Sequence, residues 1–471
     1  MSEQFQEQGG AATMDPSPFR RWFFSAIINR MLRPERLAQK REKFEQQRRK
    51  TAAPHRVEFF YQIDDAYSYL AAQALSSLVE SYHIELVCYL VSGPLGKNAA
   101  EPELLSKLAS YDASCIAAQY GLTFPSRDKL SQNSFDDSST TLALAILAAQ
   151  NSNGFINCAA EVGEALWSGD SSALDLLAAQ YGCSSAEETA AHLKVGNIRR
   201  NKLGHYSGGM FYYAGEWYWG IDRLYHLERR LRDLGVASQP QKSMLMPRPE
   251  IKAGPLKDNA SLTLEVYASL RSPYTAIGFD RAVKLATDTG VQLVVRPVLP
   301  MVMRGVPVTK EKGLYIFSDA AREAREAGVA FGDFCDPIGE PVRRCYCLYA
   351  WACKQGKGIA LISNFLSSAF ADGINTNTDK GLRIVIERAG LDWQQALSRL
   401  GELGWQDSLE ANRQAMYAAG LWGVPSFRLL NNSGEQVLAL WGQDRLWLVA
   451  REIQAQLASQ KKQINSEEDN E

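Results

Sequence analysis

The feature of the sequence that most constrains its fold is an internal repeat. Segment 57–69, VEFFYQIDDAYSY, aligns with segment 264–276, LEVYASLRSPYTA, at an offset of 207 residues. Two further pairs of segments share this offset, namely 84–91 with 291–298 (IELVCYLV and VQLVVRPV) and 111–124 with 318–331 (YDASCIAAQYGLTF and SDAAREAREAGVAF). Similarity at one fixed spacing indicates a duplicated structural unit.

A second landmark lies near the end of each copy. WGIDRL at 219–224 aligns with WGQDRL at 441–446, so the second copy carries about 15 additional residues before this landmark. We therefore predict two copies of one domain. The predicted divisions of the chain are a basic amphipathic extension at 1–53, the first copy at 54–235, a proline-rich linker at 236–258, the second copy at 259–458 and a disordered polar tail at 459–471.

The order of elements is clearest in the second copy. A β-rich run, LTLEVYASL, leads into a helix after Pro273, and the run VQLVVRPV predicts a second strand. A mostly helical region follows at about 310–420, then the strands SFRLL and QVLALW, and a closing helix from about residue 443. This order predicts an α/β protein of two tandem thioredoxin-like domains, each with an inserted helical subdomain.

Charge and cysteine content exclude some classes of function. The formal net charge of −2 gives no global reason to expect a nucleic-acid partner. None of the eight cysteines has Cys-x-x-Cys spacing, and no secretory signal is evident, so we expect a reducing, cytoplasmic setting. Four cysteines lie between residues 335 and 353, but most of them fall in an apolar helical run, which favours buried thiols over a metal site. We predict no metal.

The extension combines an apolar patch with a basic run. WFFSAIINRML is too short to span a bilayer, which requires about 20 apolar residues. Two interpretations of residues 18–50 stay open: peripheral contact with an anionic membrane surface, or a helical extension that packs on its own protein.

Three motifs of the second copy resemble a known family. They are SPYT at 272–275, Gly-Val-Pro-Ser-Phe at 423–427 and WGQDRL at 441–446. In their order they resemble the 2-hydroxychromene-2-carboxylate isomerase branch of the DsbA-like thioredoxin superfamily, whose relatives are the kappa-class glutathione transferases. The resemblance covers about 262–456 and extends more weakly over the first copy.

The resemblance implies glutathione as cofactor and Ser272 as the catalytic residue. Ser272 precedes a helix, where free N–H groups and the macrodipole stabilise an anion. In the family that anion is the sulfur of glutathione, which receives a hydrogen bond from the serine. Taken alone, a serine followed by proline is also a common way to begin a helix.

The other two motifs supply the implied cofactor-binding residues. The bond between Val424 and Pro425 resembles the cis-proline loop of thioredoxin folds, where the backbone pairs with the cysteinyl part of glutathione. Asp444 corresponds to the residue that receives the γ-glutamyl ammonium group, with Gln443 nearby. An acidic residue in a first helical turn is also favourable by itself. Arg296, Arg304 and Lys310 follow the second strand and are candidates to meet a substrate carboxylate, but solvated loop charges are at least as good an interpretation, so they are not part of the predicted site.

The first copy departs from this pattern. Asp65 takes the position of Ser272, and Tyr206 or Gly208 is predicted in the position of Pro425, so the cis-proline is missing. A carboxylate would repel a thiolate at the same place. We therefore expect a degenerate copy that supports the second one. A tandem copy is in a position to replace a partner subunit, which leaves intramolecular pairing open.

These observations favour a glutathione-dependent isomerase or transferase that acts by thiolate addition to a small conjugated electrophile. A non-catalytic binding or scaffold protein of the same fold is the main alternative. A thiol–disulfide oxidoreductase is disfavoured because a dithiol cycle needs two cysteines at the helix start. The sequence does not identify the electrophile.

Overall fold

The computed structural model describes residues 15–126, 136–306 and 308–468, and the side chains of 463–468 are outside this description. The chain divides into two compact units. The amino-terminal unit is Leu37–Pro249, and the carboxy-terminal unit combines Met1–Arg36 with Glu250–Glu471. The amino-terminal extension contains two helices, α1 (Pro18–Leu32) and α2 (Pro34–Lys50).

The amino-terminal unit is built on a mixed four-stranded sheet. Its strands are β1 (Arg56–Tyr61), β2 (Glu85–Leu90), β3 (Met210–Tyr213) and β4 (Glu216–Trp219). They lie in the order β2-β1-β3-β4, in which β1 and β2 are parallel and the other two pairs are antiparallel. Phe59 and Phe211 are fully buried neighbours across β1 and β3, with ring centroids 4.6 Å apart.

Helices flank this sheet and fill the long connection between β2 and β3. They are α3 (Ala66–Ala72), α4 (Leu75–Ser81), α5 (Pro102–Ile116), α6 (Asp137–Ala148), α7 (Ser152–Ser168), α8 (Ser171–Tyr181), α9 (Ala186–Lys202) and α10 (Leu224–Asp233). Among the described residues, helices α5 to α9 form the inserted subdomain.

The carboxy-terminal unit repeats the sheet. Its strands are β5 (Thr263–Ala268), β6 (Gln292–Pro297), β7 (Ser426–Leu430) and β8 (Gln436–Trp441). They lie in the order β6-β5-β7-β8 with the same parallel and antiparallel pairs. The core between strands is again apolar, because Val266, Phe427 and Leu440 are buried along one row of paired residues.

The helices of this unit follow the same order. They are α11 (Pro273–Thr289), α12 (Lys310–Ala327), α13 (Glu340–Lys354), α14 (Gly358–Phe370), α15 (Asp379–Arg388), α16 (Trp393–Arg399), α17 (Trp405–Ala418) and α18 (Leu446–Glu468). Helices α12 to α17 lie between β6 and β7, as the sequence predicts for an inserted subdomain.

The two sheets confirm the duplication and the predicted fold class. Strands β5 and β6 begin and end 207 residues after β1 and β2. The predicted runs SFRLL and QVLALW are β7 and β8. The chain is thus an α/β protein with two similar thioredoxin-like sheets, each interrupted by helices.

The carboxy-terminal tail is more ordered than predicted, and the segment predicted as a linker has defined contacts. Helix α18 continues to Glu468, whereas the sequence predicts disorder from residue 459. The tail has no glycine or proline before that point, so nothing in it stops the helix. The segment predicted as a linker has attachments to both units: Leu245 and Met246 donate backbone N–H groups to the buried Glu228, and Leu256 bonds to Gln454.

Candidate functional site

Ser272 caps the first helix of the carboxy-terminal unit. Its backbone is extended, with φ −89° and ψ 117°, and its Oγ accepts a hydrogen bond from the N–H of Thr275 at 3.1 Å. Pro273 occupies the first helical position, where its missing N–H costs nothing. The half-buried Ser272 therefore holds its hydroxyl over the amino end of a helix of 17 residues.

The same hydroxyl reaches the prolyl loop. Ser272 Oγ donates to the carbonyl oxygen of Val424 at 3.2 Å. The peptide bond between Val424 and Pro425 is cis, which confirms the prediction from the sequence. The serine and the residue before the cis-proline, predicted from segments about 150 residues apart, are thus in direct contact.

The third motif packs against the same loop. The N–H of Gly442 donates to the carbonyl of Pro425 at 3.0 Å. On α11, a Cβ on Gly278 would lie 2.8 Å from Cβ of Gln443 and 3.7 Å from Cγ of Pro425. Glycine is required at position 278 because a side chain there would displace the turn that begins at Gln443. All three predicted motifs therefore meet around the first turns of α11.

Gln443 is buried and fully engaged within the unit. It is 1% exposed, its amide oxygen accepts from Arg281 at 2.6 Å, and its amide nitrogen donates to the Glu323 carboxylate at 2.9 Å. These contacts tie the short helical turn Gln443–Arg445 to α11 and α12. The sequence did not indicate that this side chain serves the protein itself.

Asp444 differs from its neighbour in exposure. Its side chain keeps 19% of its surface exposed, and the guanidinium of Arg445 lies 3.7 Å from one carboxylate oxygen. At that distance the two charges attract each other without a close hydrogen bond. Asp444 is accordingly the more accessible of the two residues predicted in this motif.

One polar atom beside Ser272 lacks a partner. The hydroxyl of Thr275 is buried and has no hydrogen-bond partner in the part of the chain that the structure describes. Leaving a buried hydroxyl unpaired costs about 1–3 kcal/mol. The corresponding residue of the first copy is Ser68, whose hydroxyl donates to Asp65 at 2.7 Å.

Residues that the sequence did not single out support the start of α11. Arg271 forms two hydrogen bonds to the carboxylate of Asp336, at 2.8 and 3.0 Å, and Asp336 is only 4% exposed. Tyr274 donates to the Asp319 carboxylate at 2.8 Å. The repeat itself contained a signal for the second bond, because Asp112 and Asp319 align at the same offset as Tyr67 and Tyr274.

The basic residues weighed for a substrate carboxylate have other partners. Arg296 pairs with Glu265 at 2.5 Å, and the buried Arg304 donates to the Trp422 carbonyl at 3.4 Å. Lys312 was not considered from the sequence, yet its ammonium group lies 5.8 Å from the centroid of the Trp422 ring. Burial lowers the pKa of Lys312. Lys310 is exposed at the start of α12.

A cavity of about 170 Å³ flanks α11 one turn after Ser272. It is lined by Ala276, Phe279 and Asp280 on α11 and by Leu366 and Phe370 on α14, among others. This volume holds a few water molecules or a small apolar group.

In the first copy a carboxylate, that of Asp65, occupies the position that corresponds to Ser272. Asp65 caps α3 by accepting from the N–H of Ser68 at 2.8 Å and from its hydroxyl. Burial raises the pKa of Asp65 to about 6, although the bonds from Ser68 act in the opposite direction. An ionised carboxylate here disfavours a second anion, as the sequence predicts.

The hydrogen bonds of the first copy show which residue corresponds to Pro425, and they correct the sequence alignment at this position. The N–H of Gly220 donates to the carbonyl of Gly209 at 2.7 Å, which matches the bond from Gly442 to Pro425 in the second copy. The position of Pro425 is therefore taken by Gly209, and the prediction of Tyr206 or Gly208 was wrong. The two hairpins differ in length, which moved the alignment.

Gly209 also explains how the carboxylate fits. Its φ is +65°, and a Cβ at this position would lie 2.7 Å from Oδ2 of Asp65. The described part of the amino-terminal unit contains no cis peptide bond. The two departures of the first copy are thus coupled: the glycine leaves room for the carboxylate that replaces the serine.

No cysteine occurs at the start of α3 or of α11. All eight are free thiols, and burial raises the pKa of several of them. The pKa of Cys158 rises to about 11. Within the described residues, no group of three or more histidine, cysteine, aspartate or glutamate side chains could hold a metal ion.

Comparisons with known proteins locate one family. Residues 263–454 match the model of the DSBA-like thioredoxin domain. No curated protein matches the chain.

Two solved structures are similar to parts of the chain. One is described as a probable DsbA oxidoreductase from Streptomyces coelicolor, with 19% identity, coverage of 41% of this chain and 90% of that chain, and a TM-score of 0.32. The other is a 2-hydroxychromene-2-carboxylate isomerase, with 20% identity, coverage of 43% and 98%, and a TM-score of 0.35. At such identities and TM-scores, neither likeness bears on the activity of this chain.

Proposed function

Residues 263–454 are a DsbA-like thioredoxin domain with a serine at the start of its first helix, and we propose that this domain is a glutathione-dependent isomerase or transferase. The observation that carries the proposal is the contact between Ser272 Oγ and the Val424 carbonyl beside a cis-proline. Through this contact the Ser272 hydroxyl lies next to both the amino end of α11 and the backbone of the prolyl loop.

Ser272 is proposed as the residue that stabilises the cofactor's sulfur in its ionised form. A free thiol titrates at about 8.5, so lowering its pKa by one or two units requires about 1.4–2.7 kcal/mol. The partial positive charge at the start of α11 and one hydrogen bond to an anion are together of that size. To donate to sulfur, the Ser272 hydroxyl turns away from Val424, while its lone pair still caps Thr275.

The other predicted residues fit the remaining parts of the tripeptide. When bound, glutathione supplies a sulfur nucleophile for a small conjugated electrophile and is released unchanged in an isomerisation. The backbone of Val424 would pair with its extended cysteinyl part. The partly exposed carboxylate of Asp444 would receive its ammonium group, and Gln443 would hold the turn that presents Asp444.

The unpaired hydroxyl of Thr275 is a further argument for a ligand at this end of α11. A buried polar atom without a partner usually has a functional reason or a missing partner. Its counterpart in the first copy is satisfied by Asp65, so the difference coincides with the predicted active copy.

A non-catalytic binding protein is the second candidate, because one observation favours it. The Ser272 hydroxyl already makes two hydrogen bonds within the protein, which is sufficient for a helix cap. A thiol–disulfide oxidoreductase is disfavoured, since neither helix start carries a cysteine. The eight free thiols agree with the proposal of a reducing, cytoplasmic setting.

Calorimetric titration of glutathione distinguishes these candidates. We expect the wild-type protein to bind, Asp444→Asn to weaken binding about tenfold or more by loss of a charged hydrogen bond, and Ser272→Ala to bind with reduced proton release. Asp222→Asn in the first copy is the matched control and should leave binding unchanged. Absence of binding at millimolar glutathione would favour the non-catalytic protein.

A further inference from the structure

Helix α1 buries a face of mixed polarity and leaves an apolar face exposed. The buried side chains of this helix are Arg21, Ser25, Ile28 and Leu32, which recur at helical spacing along one face. The opposite face carries Phe19, Trp22, Phe23 and Ile27. A helix that packs on its own protein normally buries its apolar face, so this orientation needs an explanation.

The buried face is fixed by specific hydrogen bonds. Asn29 forms a two-way pair with the backbone of Phe334, at 2.9 and 2.7 Å, and Ser25 accepts from the N–H of Asp336 at 3.0 Å. Arg21, which is 2% exposed, donates to the carbonyls of Asp336 and Ile338. These contacts are all within the carboxy-terminal unit, and they fix which face of α1 points outward.

The outward face is a continuous apolar stripe. Phe19, Trp22, Phe23 and Ile27 are 68%, 64%, 52% and 45% exposed. The ring centroids of Phe19 and Phe23 are 6.0 Å apart and their planes are nearly parallel. Single exposed apolar residues are ordinary, but four on one face of one helix mark an interaction site.

The charges around the stripe identify its partner. The same segment exposes four arginines, namely Arg20, Arg30, Arg33 and Arg36. Its exposed acidic residues are fewer, namely Asp15 and Glu35. Exposed arginines beside tryptophan and phenylalanine match the boundary between acyl chains and anionic headgroups.

We propose that α1 binds the surface of an anionic lipid bilayer through Phe19, Trp22, Phe23 and Ile27. The helix lies in the plane of the interface, with its buried face still bonded to the 334–338 loop. Its 15 residues are fewer than a bilayer crossing needs, and no helix in the described ranges is both long and apolar enough to cross.

The proposed lipid-binding segment is shorter than residues 18–50, for which the sequence leaves membrane contact open. Helix α2 is engaged within the amino-terminal unit, where Lys40 donates to the carbonyl of Gly215 and Arg41 forms two hydrogen bonds to Glu216. These cations therefore have partners in the protein. Lipid binding is assigned to α1 and the arginines next to it.

Vesicle co-sedimentation tests the proposal with the full chain. We expect binding to phosphatidylcholine vesicles that contain phosphatidylserine, weaker binding to pure phosphatidylcholine, and a decrease with added salt. The triple variant Phe19→Ser, Trp22→Ser, Phe23→Ser should lose about tenfold or more of the partition coefficient. A variant with Leu95→Ser and Leu403→Ser removes two other exposed apolar side chains, 80% and 90% exposed, and should bind like the wild type.

Three outcomes would overturn the proposal. The first is equal vesicle binding by the triple variant and the wild type. The second is a wild-type protein that does not bind the vesicles but self-associates in sedimentation velocity, while the triple variant is a monomer. This result would assign the stripe to an interface with a second copy of the chain. The third is binding only after removal of residues 1–14, which would show that this segment covers the stripe. Circular dichroism establishes that the variants are folded.

Discussion

The hydroxyl of Tyr274 donates to the carboxylate of Asp319 at 2.8 Å, and Tyr67 donates to Asp112 over the same distance in the other unit. Both bonds join the first helix after β1 or β5 to the first long helix of the inserted subdomain. The duplicated unit therefore keeps this connection even where the residues at the helix start have changed.

Tyr274→Phe tests the contribution of this bond. Loss of the hydroxyl removes one donor from Asp319, which still accepts from Arg322 at 2.5 Å, so we expect a cost of about 1 kcal/mol. For a unit of this size that corresponds to a decrease of about 2–4 °C in the unfolding temperature. Tyr67→Phe is the matched change in the first copy. An unchanged unfolding temperature in both variants would contradict the expectation.

Ser272→Ala tests the proposed role of the hydroxyl in ionising bound glutathione. We expect the pKa of the bound thiol, followed by the ultraviolet absorbance of the thiolate, to rise by about one unit. The loss of the cap should also destabilise the unit by about 1 kcal/mol. Ser272→Gly provides a control, because glycine caps a helix with little loss but supplies no hydroxyl. The proposed role fails if the thiol titrates at the same pH in both variants and the wild type.

Gly209→Ala tests the coupling between the two departures of the first copy. The added Cβ meets Oδ2 of Asp65 at 2.7 Å in a backbone conformation with φ +65°, so we expect a loss of more than about 1 kcal/mol of stability. In the double variant with Asp65→Ser, part of this loss should be recovered, because the shorter side chain withdraws the clashing oxygen. A double-mutant cycle in urea measures the coupling. Strict additivity would show that only the backbone conformation matters.

The raised pKa of Asp65 predicts a pH dependence of stability. Because the folded-state value of about 6 exceeds the ordinary value of 3.8, the folded state binds the proton more tightly than the unfolded state. The contribution of Asp65 is therefore fully favourable below about pH 4 and is lost as the pH rises through 6.

The size of this effect is on the order of 3 kcal/mol between the two limits. Asp65→Asn should remove this pH dependence from the unfolding free energy of the amino-terminal unit, measured by urea titration between about pH 4 and pH 7. The carboxy-terminal variant Ser272→Ala should retain it. A wild-type curve that already lacks any fall in stability over this range would contradict the assignment to Asp65.

The repeat made much of the fold predictable. Strands β7 and β8 coincide with the runs read from the sequence, because alternation and a turn signal bound them on both sides. The cis bond before Pro425 was predictable from its motif. The position of Gly209 was not, since the hairpins of the two copies differ in length and only strand pairing shows which residues correspond.

Burial and tertiary partners were the other limit. A glutamine in a turn motif gives no sign that it will lie between Arg281 and Glu323, as Gln443 does. The sequence of α1 likewise does not indicate which face of the helix the protein will bury, because apolar residues occur on both sides of it. Which face is buried depends on backbone groups of the 334–338 loop, which is distant in sequence and whose N–H and carbonyl groups need polar partners.

The 334–338 loop has a practical consequence for work on the carboxy-terminal unit. Asp336 is bonded through its backbone to α1 and through its carboxylate to Arg271, the residue immediately before Ser272. A shortened chain that starts at the first strand would leave those backbone groups without their partners. Helix α1 therefore supports the loop that anchors the start of α11, and a protein truncated in this way is not a neutral substitute for the whole one.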